Sequence, residues 1–255
     1  MKLLPLVLAS AGSMGLFAAE PLAKTKSKPL TSAQGDEILT ELKVIRQMLE
    51  SIKSREVAVP GKEATNAPGK PATALIVIDP ARVLGDVKAP LTLVEFTDYQ
   101  CGFCSMFHRQ TFPSIKREFI DKGLVRFVSM DLPLDMHSEA FLAAKASRCA
   151  LEQGKYWEYR DVLSQKPQPF SPELLLKIGQ PLGLDEAKMQ ACISSDRLDA
   201  GVKADIRQAE QANLSATPSF VLGKSTEKGV EGEAIVGAFP FENFRDAMEA
   251  LRKKI

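Results

Sequence analysis

An apolar run at Leu91, Leu93, Val94 and Phe96 that ends in Cys101-Gly102-Phe103-Cys104, with a helix-compatible pattern behind it, constrains this chain more than any other stretch. The run reads as a buried strand, and two cysteines two residues apart at a strand-to-helix junction form a redox arrangement. The first cysteine sits where a helix leaves its opening N–H groups unpaired, so those dipoles favour a thiolate. Cys101 is therefore the predicted nucleophile. Cys104, one helical turn further on, is the predicted resolving partner that closes and reopens a disulfide with it. A zinc site would need two further ligands, and only Cys149, Cys192, His108 and His137 remain to supply them.

Two other features favour redox chemistry. Glu95 lies in the strand six residues before Cys101, where a half-buried carboxylate would take and return the proton of Cys104; the alternative is a solvent-facing strand residue. Late in the chain, Thr217-Pro218-Ser219-Phe220-Val221 reads as an apolar strand that opens with proline. A cis Thr217–Pro218 bond would turn the backbone beside it towards the disulfide and let it pair with an extended substrate.

Strand, acidic residue, C-x-x-C, helical insertion and late Thr-Pro strand together resemble the DsbA-like branch of the thioredoxin superfamily. The resemblance runs from about Gly85 to the end of the chain and includes GDVKAPLTLVEFTDYQCGFC, AAKASRCALEQGKYWEY and TPSFVLG. It implies that Cys101 is the attacking cysteine, Cys104 the buried one, Glu95 the buried acid and Pro218 the cis-proline, with Thr217 and Phe103 beside them at the substrate. The dipeptide here is Gly-Phe, and Phe103 offers a thiolate neither a hydrogen bond nor a positive charge.

Composition narrows the functional classes. With 33 basic and 32 acidic residues there is no basic field to hold a nucleic acid, and 45% apolar residues suffice for a proper core. Met1-Lys2 and the uncharged stretch 3–19 read as a signal peptide, cleaved after export, with an uncleaved anchor as the alternative. Export permits disulfides. No cofactor is expected.

Residues 31–55 form a separate predicted element. Thr31 and Gln34 have the spacing of a capping box, and Ile38, Leu42, Ile45, Leu49 and Ile52 make a short heptad seam. A lone helix of that size must bury its stripe, against a second copy of the chain or against its own catalytic domain. Residues 56–73, with their prolines and glycines, read as a linker, and 74–255 as an α/β catalytic domain with a mixed sheet. Within it, residues 138–213 read as a helical insertion holding Cys149 and Cys192, expected as a structural disulfide, with buried free thiols as the alternative. His108, four residues beyond Cys104, could line the same helix face, with a surface or core-edge position as the favoured reading, and His137 is expected in a packing or capping role ahead of a catalytic one.

Three functions are open at this point. A thiol–disulfide oxidase would take electrons from unfolded exported proteins and pass them to a membrane redox partner. An isomerase or reductase would be dimeric through 38–52 and kept reduced. The third is a non-catalytic, chaperone-like dimer.

Overall fold

The computed structural model describes residues 31, 34, 35, 38, 39, 41–43, 45, 46, 73–165 and 169–255. The chain divides into two units, Met1–Thr65 and Asn66–Ile255. In the first, the Gln34 amide proton donates to Thr31 Oγ1 at 3.4 Å and the Thr31 N–H to Gln34 Oε1 at 3.1 Å, the reciprocal bonds of a capping box. The described residues between 34 and 46 are helical. The leader 1–19, the seam positions Leu49 and Ile52, and linker residues 56–72 lie outside the described residues. Among the described residues no helix is long and apolar enough to cross a membrane.

The second unit is built on β3, Leu91–Thr97, whose seven residues are all buried. A strand covered on both faces needs apolar or partnered side chains throughout, which is why the hydrophobic run is nearly continuous. It pairs in parallel with β4, Val125–Asp131, and antiparallel with β5, Ser219–Ser225. The six-stranded sheet has the order β1-β6-β5-β3-β4-β2, with β1 at Thr73–Val77, β2 at Val83–Leu84 and β6 at Gly229–Val236. Strand β2 was not foreseen: two residues carry no periodicity, and it exists through its pairing with β4. In the β5–β6 hairpin, polar residues such as Lys224, Glu231 and Glu233 occupy exposed positions on the strands themselves.

Alternation along β3 divides the core. Leu91 and Leu93 join Phe107, Phe112, Ile115, Phe244 and Met248 on one face, while Val94 and Phe96 join Met130, Leu132 and Val221 on the other. Glu95 therefore shares the face of Leu91 and Leu93. The cover on that face is α1, Gly102–Gln110, then α2, Phe112–Ile115, and α8, Phe241–Arg252. Pro113 cannot donate within a helix, so the chain breaks at Thr111 and restarts with the proline in the first turn of α2. Phe107 is packed at ring-centroid distances of 4.6 Å from Phe220 and 5.4 Å from Phe244, which fixes α1 over the sheet.

The insertion is helical as expected: α3 Ala140–Glu152, α4 Tyr156–Gln165, α5 Pro172–Gly179, α6 Glu186–Ser194 and α7 Asp199–Gln211. Gly183, at φ 74°, supplies the left-handed turn between α5 and α6. The Cys149 and Cys192 sulfurs are bonded and join α3 to α6 across 43 residues of chain, a loop whose closure contributes about 4 kcal/mol through the unfolded state. A buried, charge-balanced network fastens the insertion to the sheet. Arg82 donates to Asp205 of α7 at 2.6 and 3.1 Å, and Arg148 of α3 donates to both Asp131 and Asp205 at 2.6 Å. Breaking one member would leave an uncompensated buried charge, which makes the docking stiff.

Candidate redox site

The site forms where β3 gives way to α1. Asp98 organises the turn: its carbonyl accepts the Cys101 N–H at 3.1 Å, and its carboxylate accepts from the N–H groups of Gln100 at 2.7 Å and Leu134 at 2.8 Å. The same carboxylate is 2.8 Å from His137 Nδ1. Gln100 adds a second stitch, accepting from the Glu139 N–H at 2.8 Å. The loop between β4 and α3 is thereby tied to the loop that carries the cysteines.

Cys101 is the N-cap of α1, with extended backbone at φ −74° and ψ 121°. Its sulfur sits at the opening turn of the helix and lies 3.4 Å from the Thr217 carbonyl. The Thr217–Pro218 bond is cis. Neither cysteine is in a disulfide, and Cys101 is buried to 6% exposure and Cys104 to 2%. The Cys104 side chain donating to Cys101 draws the Cys101 pKa down to about 5, against the opposing effect of burial and with help from the backbone N–H groups of Cys104 and Phe103. Burial pushes Cys104 well above the usual thiol range, and the Cys101 sulfur and the Glu95 carboxylate add to that. The pair is thus split into one thiolate and one thiol.

Glu95 is fully buried. Its position in a strand covered on both faces is why the solvent-facing alternative fails. One carboxylate oxygen receives Arg160 of α4, and His108 Nε2 lies 2.8 and 3.0 Å from the two oxygens. Burial alone would raise the Glu95 pKa, yet His108 and Arg160 outweigh it and hold it below the usual carboxylate range. Burial pushes His108 below its ordinary value, and the nearby Arg160 cation works in the same direction. His108 Nε2 faces both the Glu95 carboxylate and, at 2.9 Å, Arg160 Nη2, which can only donate. The buried Nδ1 has no hydrogen-bond partner among the described residues. Arg160 is itself held by Ser129 Oγ at 2.6 Å and lies 5.5 and 5.4 Å from the ring centroids of Phe127 and Trp157.

Cys101, Cys104, Glu95, Thr217 and Pro218 are therefore gathered at one site, and Cys149 and Cys192 lie apart from it in the insertion. Phe103 is 64% exposed and lines a groove of about 690 Å³ beside Cys101, with Met106, Leu134, Met136 and Thr217. Arg160 is absent from the residues predicted for the site, and His108 is buried against Glu95, as the reading on the Cys104 face of the helix allows and the favoured surface or core-edge reading does not. The spacing of Cys104, Phe107 and His108, three and four residues apart on one helix face, was the available signal for the histidine.

A low-pKa cysteine capping a helix, backed by a buried thiol and set against a cis-proline strand on a mixed sheet, defines a thiol–disulfide oxidoreductase. Residues 79–235 match the family described as Thioredoxin, and the chain belongs to that family, on its DsbA-like branch. Among solved structures it is similar to alpha-DsbA1 of Wolbachia pipientis, with a TM-score of 0.62, 25% identity, and coverage of 70% of this chain and 94% of that one. It is 30% identical over 155 residues to disulfide bond formation protein D of Bacillus subtilis, covering 57% of this chain and 69% of that protein. It is also 32% identical over 158 residues to the Na(+)/H(+) antiporter NhaA 3 of Salinispora tropica, covering 61% of this chain. The chain spans only 24% of that antiporter's length.

Proposed function

We propose that this protein is an exported oxidase of substrate thiols, working through Cys101 and Cys104. What supports the direction is the placing of Cys101 as the N-cap of α1 beside the buried Cys104 thiol, which draws its pKa down to about 5. A substrate thiolate attacks Cys101, the bond to Cys104 breaks, and a second substrate thiol then expels Cys101 from the mixed disulfide. A low-pKa thiolate is the better leaving group in that second step, and a stabilised reduced form makes the oxidised form a stronger oxidant. Thr217 and Pro218 offer backbone to an extended substrate, and Phe103 borders the groove in which it lies. Glu95, held ionised, keeps Cys104 protonated and donating to Cys101. The substrates are unfolded exported proteins, and a membrane redox partner reoxidises the pair. Cys149–Cys192 is structural.

Alkylation trapping in the cell tests this reading. The Cys101–Cys104 pair should be disulfide-bonded at steady state, and Cys104→Ser should accumulate mixed disulfides with exported proteins. A pair kept reduced would assign the protein to the isomerases or reductases.

A dimeric isomerase is the second reading, and the exposed helical residues favour it. Ile38, Leu39, Leu42 and Ile45 are 45 to 57% exposed, a stripe that a second copy would cover through residues 38–52. Light scattering of the full-length protein should give a dimer that Leu42→Glu splits into monomers. A wild-type protein already monomeric at micromolar concentration removes this reading.

A further inference from the structure

Histidine 137 stands outside the cysteine chemistry described above, yet its setting is that of an acid–base group. Its Nδ1 is 2.8 Å from Asp98 Oδ2, and that carboxylate is completely buried while the imidazole is 25% exposed. A carboxylate on Nδ1 fixes the tautomer with its proton there, which leaves Nε2 as the free acceptor. His137 lines the groove that Cys101, Phe103 and Thr217 also line. Asp98 sets both partners at once, because its carbonyl holds the Cys101 N–H and its carboxylate holds the imidazole. A histidine serving as a helix cap or a packing residue has no need of a buried carboxylate behind it and an open groove in front.

We propose that His137 is a catalytic residue that accepts the proton of the incoming substrate thiol in the groove, with Asp98 orienting it and balancing the imidazolium that forms. This inference rests on the proposed disulfide-exchange function. In the oxidising direction the substrate S–H proton passes to His137 Nε2, and the thiolate electron pair forms the new bond to Cys101. The Cys101–Cys104 bond breaks with its electron pair on Cys104, which takes up a proton. His137 passes its proton to water, from which Cys104 draws the one it needs, then takes the proton of the second substrate thiol and gives that up to water in turn, as the thiolate attacks its own mixed disulfide and releases Cys101 as thiolate. The substrate dithiol is oxidised, the protein disulfide is reduced to one thiol and one thiolate, and one proton reaches solvent. The charged groups around His137 are Asp98 on its Nδ1, Arg109 and Cys101, which line the same groove, and its loop neighbours Asp135 and Glu139, the last engaged by Gln100 at 2.5 Å.

The experiment is single-turnover oxidation of a dithiol peptide by the full-length oxidised protein, followed from about pH 6 to about pH 9. His137→Gln should slow the reaction roughly 10²-fold at the acid end. It should match the wild type at the alkaline end, where thiols of ordinary pKa near 8.5 are ionised unaided. Because an acid–base group speeds both directions alike, the equilibrium constant against glutathione should stay the same. His137→Ala should recover rate on adding imidazole, which a folding defect would not do. An equal slowing at every pH, a shifted equilibrium constant with an unchanged rate, or no slowing in a protein whose wild type is active would overturn the role of His137 alone. A wild type that exchanges no disulfide at any pH overturns the functional reading, and this inference with it.

Discussion

Replacing Cys101 by serine should abolish disulfide exchange, and the reduced wild type should show thiolate absorbance with a midpoint near pH 5. At neutral pH a thiol with that value is ionised roughly a hundred to one, whereas an ordinary thiol near 8.5 is about 3% ionised. Alkylation of Cys101 should therefore stay nearly constant down to about pH 6, where an unperturbed thiol has slowed roughly 300-fold. The same shift has a sign in stability. Because the folded value lies below the unfolded one, its contribution to the reduced protein is complete above about 8.5 and is lost as pH falls towards about 5. Cys104 is shifted the other way, so its linkage acts only above the ordinary thiol value and leaves this window alone. Urea unfolding of the reduced protein, compared with the oxidised one, should thus gain stability as pH rises through the window. A thiolate midpoint near 8.5, or a reduced protein whose relative stability is flat there, would end the oxidase argument.

What the sequence shows and what it hides follow from how local each signal is. The strand, the C-x-x-C and the helix start are contiguous, so hydrophobic periodicity and helix-terminus electrostatics placed them together. Glu95 was ambiguous because the period-2 rule presumes one solvated face, and β3 has none. Arg160 carries no local mark: it sits in the mixed segment YWEYRDVLSQ, 65 residues from the carboxylate it meets. Arg82 and Asp205 are 123 residues apart, and only the docking of the insertion brings them into contact. Buried ion pairs between distant elements are products of the tertiary fold, and reading residue spacing along the chain cannot recover them.

Arg160→Met should destabilise the protein by about 3 to 5 kcal/mol, because it leaves the Glu95 carboxylate buried without its cation. The methionine keeps most of the apolar contact with Phe127 and Trp157, so the loss reports charge more than packing. In the wild type the folded values of both Glu95 and His108 are lowered, so the unfolded chain binds more protons and stability falls with pH below about 6.5 and then below about 4.3. Without Arg160, burial acts on Glu95 with only His108 beside it, and the pair takes up a proton that the wild type refuses. The two unfolded chains titrate alike at this pair, so a folded variant that binds a proton the folded wild type refuses closes part of the gap as pH falls, and the deficit of Arg160→Met should be smaller near pH 5 than near pH 8. Adding Glu95→Gln removes the stranded charge while its amide oxygen still accepts from His108 Nε2, so the double variant should regain part of the loss at neutral pH and lose the pH dependence of the deficit. Chemical denaturation at the two pH values decides the matter. A deficit below about 1 kcal/mol, or one equal at both pH values and untouched by Glu95→Gln, would mean that Arg160 does not hold the charge of Glu95.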